Sequence, residues 1–254
     1  MRIRFMGTGA ADFSPLLKGQ FKNRLGKSIR RSSSILIEDR YLVDCGPHVL
    51  DSFRIQQVDC SKVTDLFVTH FHSDHFNLEN VKRLAKACSQ PLRIWYHAGG
   101  EMESIPNTEF HPLQPGQEFQ TDMLSGVALA ANHTDWPLHY DMEVNGVRLF
   151  YGCDGAWLLN DTFYSMRQRN YNCMILDATV GDYVGDYRLA EHNSIPMVRL
   201  MVASFQKEHV IAPQGAIYLS HIARTLHEPH EQLAKKMKRE NLIVAYDGLV
   251  IEIL

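Results

Sequence analysis

From residue 70 to residue 75 the chain reads His-Phe-His-Ser-Asp-His, so three imidazoles and one carboxylate fall within six positions. Imidazole nitrogen and carboxylate oxygen are the donors that a borderline divalent cation takes where thiolates are absent. His70 and His72, two apart on an extended segment, can point the same way and grip one ion. Asp74 and His75, just past the bend, are placed to face a second. One loop cannot complete either coordination sphere, so further ligands must come from distant segments. Three more donors stand at the ends of apolar stretches: His133 in LAANHTDWP, Asp154 in LFYGCDGAW and His221 in AIYLSHIAR.

The elements that must gather these groups are legible as short β-rich runs. Arg2–Met6, Ser34–Glu38, Tyr41–Asp44 and residues 66–69 predict strands ahead of the histidine run, and residues 77–89 place Val81, Leu84, Ala85 and Cys88 at helical spacing. Further strands are expected at Leu92–His97, Glu118–Gln120, Gly126–Ala131, Tyr140–Val144 and Val147–Tyr151, the last two meeting at an Asn145-Gly146 hairpin. Strands at Met174–Asp177 and Ala216–Ser220 alternate with helices near 158–170, 194–206 and 228–240. The pair Ile243–Ala245 and Leu249–Ile253 is expected to turn at Asp247-Gly248. The pattern suits two packed sheets with helices outside better than an alternating β-α barrel. Trp136, Trp157 and Tyr183 are candidates for the core, with Trp136 close enough to His133 to line a pocket wall.

Composition bounds the function without naming it. Across 254 residues, 45% hydrophobic and 22% charged residues describe an ordinary globular chain. The net charge of −3 disfavours a surface built wholly for nucleic acid, although KGQFKNRLGKSIRR (18–31) carries six Lys/Arg and no acid. Five scattered cysteines without a C-x-x-C pair suit a reducing cytoplasm. The opening MRIRFMGTG has no apolar leader and no run is long enough to span a bilayer, so a cytoplasmic address and no membrane partner are expected. GTGAAD (7–12) imitates a dinucleotide fingerprint, but its last position is aspartate and no helix follows.

The order H-x-H-x-D-H, then His, then Asp, then His resembles the metallo-β-lactamase superfamily of dinuclear hydrolases. The resemblance implies an α/β fold, the four-layer αβ/βα sandwich, over one domain spanning 1–254. It implies one ion held by His70, His72 and His133, a second held by Asp74, His75 and His221, and Asp154 bridging both. The opening GTG, the aspartate at 154, AEHNS with His192, LSHIART and YDGLVIEI are similar to the phosphodiesterase branch that holds the ribonuclease Z-like and PhnP-like proteins. The clustered cysteines of the PhnP-like proteins and the long arm of the ribonuclease Z-like ones are absent. That branch implies Asp74, Asp154 and His192 as the catalytic groups, with His192 contacting phosphate and protonating the leaving oxygen.

The function expected from these residues is hydrolysis of a small cyclic or nucleotide-like phosphodiester by hydroxide held between two divalent ions, zinc or manganese, with iron also compatible. Lys27, Arg30, Arg31 and Arg224 are expected to hold a distal phosphate or ribose. Hydrolysis of a carboxyl ester, thioester or lactone uses the same centre, and a nucleic-acid- or ligand-binding protein with structural metals is the reading from another class. A homodimer is the habit of the resembled family.

Overall fold

The computed structural model describes residues 1–254. In chain order it contains β1 (Arg2–Gly7), β2 (Ser34–Ile37), β3 (Tyr41–Val43), α1 (Val49–Ile55), β4 (Asp65–Phe67), α2 (Leu78–Ala87), β5 (Leu92–His97) and β6 (Thr108–Leu113). There follow β7 (Glu118–Gln120), β8 (Leu124–Ala130), β9 (Leu138–Val144), β10 (Val147–Gly152), α3 (Asn160–Met166) and β11 (Tyr171–Asp177). The chain closes with α4 (Ile195–Lys207), β12 (Ile211–Ser220), α5 (His230–Lys238), β13 (Leu242–Val244) and β14 (Val250–Glu252). Two seven-stranded sheets result, ordered β14-β1-β2-β3-β4-β5-β6 and β13-β12-β11-β10-β9-β8-β7. No helix is long and apolar enough to cross a membrane.

Strand period assigns each side chain to a layer. Ile35 and Ile37 of β2 and Leu149 and Tyr151 of β10 face the space between the sheets, whereas Leu36 packs outward with Val49, Phe53, Val81 and Leu84 of α1 and α2. Phe150, Met174 and Leu176 face outward from the second sheet onto Met166, Val198, Met201, Phe205 and Leu233 of α3, α4 and α5. Both faces of each sheet are thus covered, which is why the central strands read as unbroken apolar runs rather than alternating ones. The layers run helix, sheet, sheet, helix, as expected for the αβ/βα sandwich.

Direction within the sheets is what builds a site. β3, β4 and β5 are mutually parallel, as are β10, β11 and β12. β8 runs with β10 because both are antiparallel to β9. The carboxyl ends of β8, β10, β11 and β12 therefore open on one edge, and each carries a His or Asp at its last residue or within the next three: His133, Asp154, Asp177 and His221. This is the crevice position at which parallel sheets present their functional groups.

Two expectations are corrected. The terminal strands do not form a hairpin: β13 pairs with β12 in one sheet, and β14 pairs with β1 in the other. Asp247 between them is buried and accepts hydrogen bonds from Thr8 Oγ1 and the Arg31 amide, both at 2.9 Å, so the connection is bolted across the sheets rather than turned in solvent. Trp136, Trp157 and Tyr183 are not core residues. Trp136 is 53% exposed and stacks on His97 at 5.3 Å, and the other two are exposed as well. The Asn145-Gly146 turn is as expected, with φ of 52° and 79° at the two residues.

The sheets are tied at the mouth of the histidine loop. Tyr140 of β9 donates its hydroxyl to the Val68 carbonyl at 2.6 Å, and the Leu138 amide donates to the Thr69 carbonyl at 2.7 Å. Tyr140→Phe leaves the buried Val68 carbonyl without that donor, so urea unfolding should show a loss of about 1–2 kcal/mol at unchanged m. An unaltered midpoint would show that this tie contributes nothing.

Candidate metal centre

The Asp154 carboxylate lies at the centre of the edge. Its Oδ2 is 3.8 Å from His70 Nε2, 3.6 Å from His75 Nε2, 3.5 Å from His133 Nε2 and 3.3 Å from His221 Nε2. Around it the donor atoms fall into two groups that share it: His70, His72 and His133 on one side, Asp74, His75 and His221 on the other. All seven ligand-type residues named from the sequence are brought together.

Each ring is held so that, in its neutral form, the ligand nitrogen carries the lone pair. His75 Nδ1 is 2.7 Å from Asp44 Oδ2, so that nitrogen donates and Nε2 is bare. His221 Nδ1 donates to Thr179 Oγ1 at 2.6 Å, and that hydroxyl reaches Asp177 Oδ2 at 2.9 Å. His133 Nδ1 donates to the Glu191 carbonyl at 3.1 Å. His72 is reversed: its Nε2 faces Thr134 Oγ1 and Asp135, and its Nδ1 faces inward. His70 Nδ1 contacts Thr69 Oγ1 at 3.0 Å, while its Nε2 is buried without a partner.

These tautomers test whether cations fit. His75 Nε2 and His221 Nε2 are 3.1 Å apart, and His133 Nε2 and His72 Nδ1 are 3.2 Å apart. With all four rings neutral, each pair would set two lone pairs against each other, so a proton or a divalent cation has to lie between them. Two such pairs, an orphaned His70 nitrogen and a central carboxylate make a set compatible with a dinuclear metal site.

The electrostatics lean the same way. Burial alone would keep His75 neutral, yet Asp44 and Asp74 raise its pKa well above that of a free imidazole. Burial also opposes charge on His221 and His192, but Asp154 and Asp177 raise them to about 9 and about 11. His70 has its pKa lowered by burial and by its imidazole neighbours. In the bare protein, protons on some of the rings offset the buried carboxylates, which is the charge a divalent ion would supply.

His192 Nδ1 approaches Asp154 Oδ1 to 2.6 Å and Asp177 Oδ2 to 3.4 Å. It lines a cavity of 270 Å³ together with His72, Asp74, His133, Asp154 and Arg188. Of the four expected substrate cations, none lines this cavity. Arg30 is buried and donates to Thr8 Oγ1 and the Ala245 carbonyl, at 2.8 and 2.5 Å. Arg31, 1% exposed, pairs with Asp247 and donates to the Phe21 and Arg24 carbonyls. Both are fold residues whose guanidinium nitrogens are engaged by interior acceptors. Lys27 pairs with Glu231 at 3.3 Å, and Arg224 lies beyond the cavity, its Nε donating to the Asp12 carbonyl.

The residues that sequence reasoning passed over are mostly the partners of the ligands. Asp44 accepts from His75, from the Thr69 amide at 2.8 Å and from its hydroxyl at 2.9 Å. Asp177 accepts from the Thr179 and Asn193 amides, at 3.0 and 2.9 Å. His139, buried, places Nε2 3.4 Å from the Asp154 carbonyl. Asp44 and Asp177 carried the same signal as Asp154, an acid at the end of an apolar strand. Arg188, the cation that does line the cavity, carried none.

The sequence profile described as the beta-lactamase superfamily domain matches residues 39–203, a span that holds Asp44 through His192 and leaves His221 outside. The fold is similar to that of the short form of human tRNase Z, at 20% identity and a TM-score of 0.71 with 100% of both chains covered. Zinc-bound PqqB from Methylobacterium extorquens is similar at 15% identity and a TM-score of 0.75, again over 100% of each chain. A diphosphatase of the PhnP family is similar at 14% identity and a TM-score of 0.73, covering 100% of this chain and 98% of that one. No curated protein sequence matches the chain.

Loss of a partner that orients a ligating histidine usually weakens a metal about 10–100-fold. Asp44→Asn should therefore lower zinc affinity by about that factor in a competition titration with a chromophoric chelator, while circular dichroism stays native. Equal affinity in variant and wild type would remove Asp44 from the metal centre.

Proposed function

The chain belongs to the beta-lactamase superfamily, and from that membership we propose that it is a dinuclear metal-dependent phosphodiesterase acting on a small cyclic or nucleotide-like phosphodiester. The observation that carries the proposal is the convergence of four imidazole nitrogens on Asp154 Oδ2, within 3.3–3.8 Å, next to a charged His192. His70, His72 and His133 would hold one ion, Asp74, His75 and His221 the other, with Asp154 common to both. When bound, a pair of divalent ions supplies Lewis acidity toward the substrate oxygens and lowers the pKa of water.

The remaining work belongs to side chains of the cavity. Asp154 and Asp177 hold a proton on His192 Nδ1, so the imidazolium is retained beside the reacting group. Its Nε2 is then the nitrogen left to give a proton to the leaving oxygen, a role within the usual reach of a histidine acid. Asp186, 2.8 and 2.6 Å from the Arg188 guanidinium, fixes that cation at the cavity wall, where it can meet a phosphate oxygen. A cavity of 270 Å³ suits a small substrate. Support for phosphorus over carbon comes from His192 and Arg188 together, and from the similarity of the fold to a tRNase Z and to a diphosphatase of the PhnP family. Zinc is bound in PqqB, and zinc or manganese is the pair of ions proposed here.

Metal-replete protein should hydrolyse bis(p-nitrophenyl) phosphate. Asp154→Ala is expected to lose metal and essentially all turnover, whereas His192→Ala should keep its metal and lose about 10²–10⁴ in kcat. Metal-loaded protein that leaves the diester intact but cleaves thioesters or lactones would replace the phosphodiesterase by an acyl hydrolase.

A further inference from the structure

One wall of the metal cavity carries a charged side chain that holds no ion and has no partner. Asp186 caps the 3-10 turn Tyr187–Ala190 by accepting from the Arg188 amide at 2.9 Å, and its carboxylate also takes Arg188 Nε and Nη2, at 2.8 and 2.6 Å. The turn closes where the Glu191 amide donates to the Arg188 carbonyl at 3.0 Å. Positions three apart stand nearly above one another in such a turn, which is how Arg188 and Glu191 both come to line the cavity. Arg188 makes its ion pair with Asp186 rather than with Glu191. Arg188 Nη1 and the exposed Glu191 carboxylate are therefore left without protein partners.

The other polar side chains of the cavity that hold no ion are engaged within the protein. Asp12 accepts from the Arg224 amide at 2.9 Å and from the Thr225 amide and hydroxyl, both at 2.7 Å. Thr179 serves His221 and Asp177, and His192 is held by Asp154 and Asp177. What remains for a ligand is one donor, Arg188 Nη1, and one acceptor, Glu191, beside the imidazole that protonates the leaving oxygen. A second phosphate or a carboxylate offers only acceptors and is repelled by Glu191. An ammonium offers only donors and is repelled by Arg188. A hydroxyl donates and accepts at once, so it satisfies both, and two neighbouring hydroxyls can meet both Glu191 oxygens.

We propose that Glu191 is a specificity-determining residue that reads hydroxyls on the alcohol part of the diester, with Arg188 Nη1 as its companion donor. The proposal rests on the phosphodiesterase reading and narrows its substrates to diesters of polyols, with hydroxyls close to the ester oxygen and no further charge. The hydroxyl hydrogens go to Glu191, and one hydroxyl oxygen accepts a hydrogen of Nη1. The second hydrogen of Nη1 stays available to a phosphate oxygen.

Symmetric diesters remove the question of which ester faces the wall. Metal-replete wild type and Glu191→Ala are titrated calorimetrically with bis(2,3-dihydroxypropyl) phosphate and with dipropyl phosphate. The substitution keeps the backbone carbonyl at 191, which accepts from His133 Nδ1 at 3.1 Å. In wild type the hydroxylated diester should bind about tenfold tighter or more, the scale of a hydrogen bond to a charged group, and the ratio should fall toward one in Glu191→Ala. Bis(2-carboxyethyl) phosphate should bind wild type more weakly than the dipropyl diester does, and should recover in Glu191→Ala. No binding of the hydroxylated diester, a wild-type ratio near one, or a ratio unmoved by Glu191→Ala overturns the assignment. Tightest binding by bis(2-aminoethyl) phosphate overturns it too, because that ligand needs acceptors alone. Turnover of bis(p-nitrophenyl) phosphate separates the two failures. A diester that is cut with a ratio near one discards only the role of Glu191, whereas a ratio kept by protein that cuts no diester upholds that role and discards the phosphodiesterase reading.

Discussion

Lone pairs facing lone pairs around a buried carboxylate are what the rest of this structure has to sustain. His75 and His221 aim bare nitrogens at each other across 3.1 Å, His133 and His72 do so across 3.2 Å, and Asp154 stands between the two pairs. In the neutral rings these nitrogens repel, so a proton or a metal cation has to sit between them. It persists because each ring is gripped from behind: His75 by Asp44, His221 by Thr179 and Asp177, and His133 by the Glu191 carbonyl. Metal affinity and fold stability are consequently linked, since ions that bind only the assembled edge stabilise it by mass action.

The backbone contributes to this constraint as well. Asp44 and His221 both hold positive φ, 62° and 55°, a region that costs a residue with a side chain some energy and is kept only where the surroundings impose it. For His221 the surroundings are identifiable. The Ile222 amide donates to the Thr8 carbonyl at 2.9 Å, and Thr179 Oγ1 sits 2.9 Å from the His221 carbonyl. Thr8 belongs to the GTG stretch after β1, so a segment that resembles a nucleotide loop serves instead to position a ligand. The neighbouring Gly46 has a comparable duty: a Cβ there would lie 1.8 Å from the Asp74 carbonyl, so the strand end carrying Asp44 can pack against the ligand loop only without a side chain.

The ligand set was legible in the sequence because a donor placed straight after an apolar run has one physical meaning in a two-sided sheet: it projects from the edge. That rule picked out His70, His133, Asp154 and His221; the shared direction of β8, β10 and β12 gathers the last three, and the loop after β4 brings His70 to the same edge. It applied equally to Asp44 and Asp177, which were absorbed into the strands they end, because tautomer control leaves no spacing pattern of its own. Arg30 and Arg31 were illegible for a different reason. Six cations in fourteen residues describe a solvated loop or a substrate clamp, and nothing local says that two of them turn inward to Thr8, Ala245 and Asp247, more than 200 residues away for the last two. The same long-range bond at Asp247 hid the split between β13 and β14. In each case the missing information was a partner remote in sequence, which neither period nor composition carries.

The division between strand ends and loops also says where specificity resides. The metal-facing atoms are carried at or just past β4, β8, β10 and β12, inside packed layers whose cores tolerate little displacement. The cavity walls come instead from residues 10–12, 188–192 and 223–226, all connecting segments. Loops of this kind can change without disturbing the metal ligands, so the chemistry is set by the sheets and the choice of substrate by the walls. Burial of Arg30 and Arg31 sharpens that division: it withdraws two charges from the basic run and leaves Lys18, Lys22, Arg24 and Lys27 on the exposed loop that sets out from Asp12 at the cavity wall. An anion approaching from that side would meet positive potential along the loop before it reached the histidine cluster, and screening by salt would act there rather than on the buried centre.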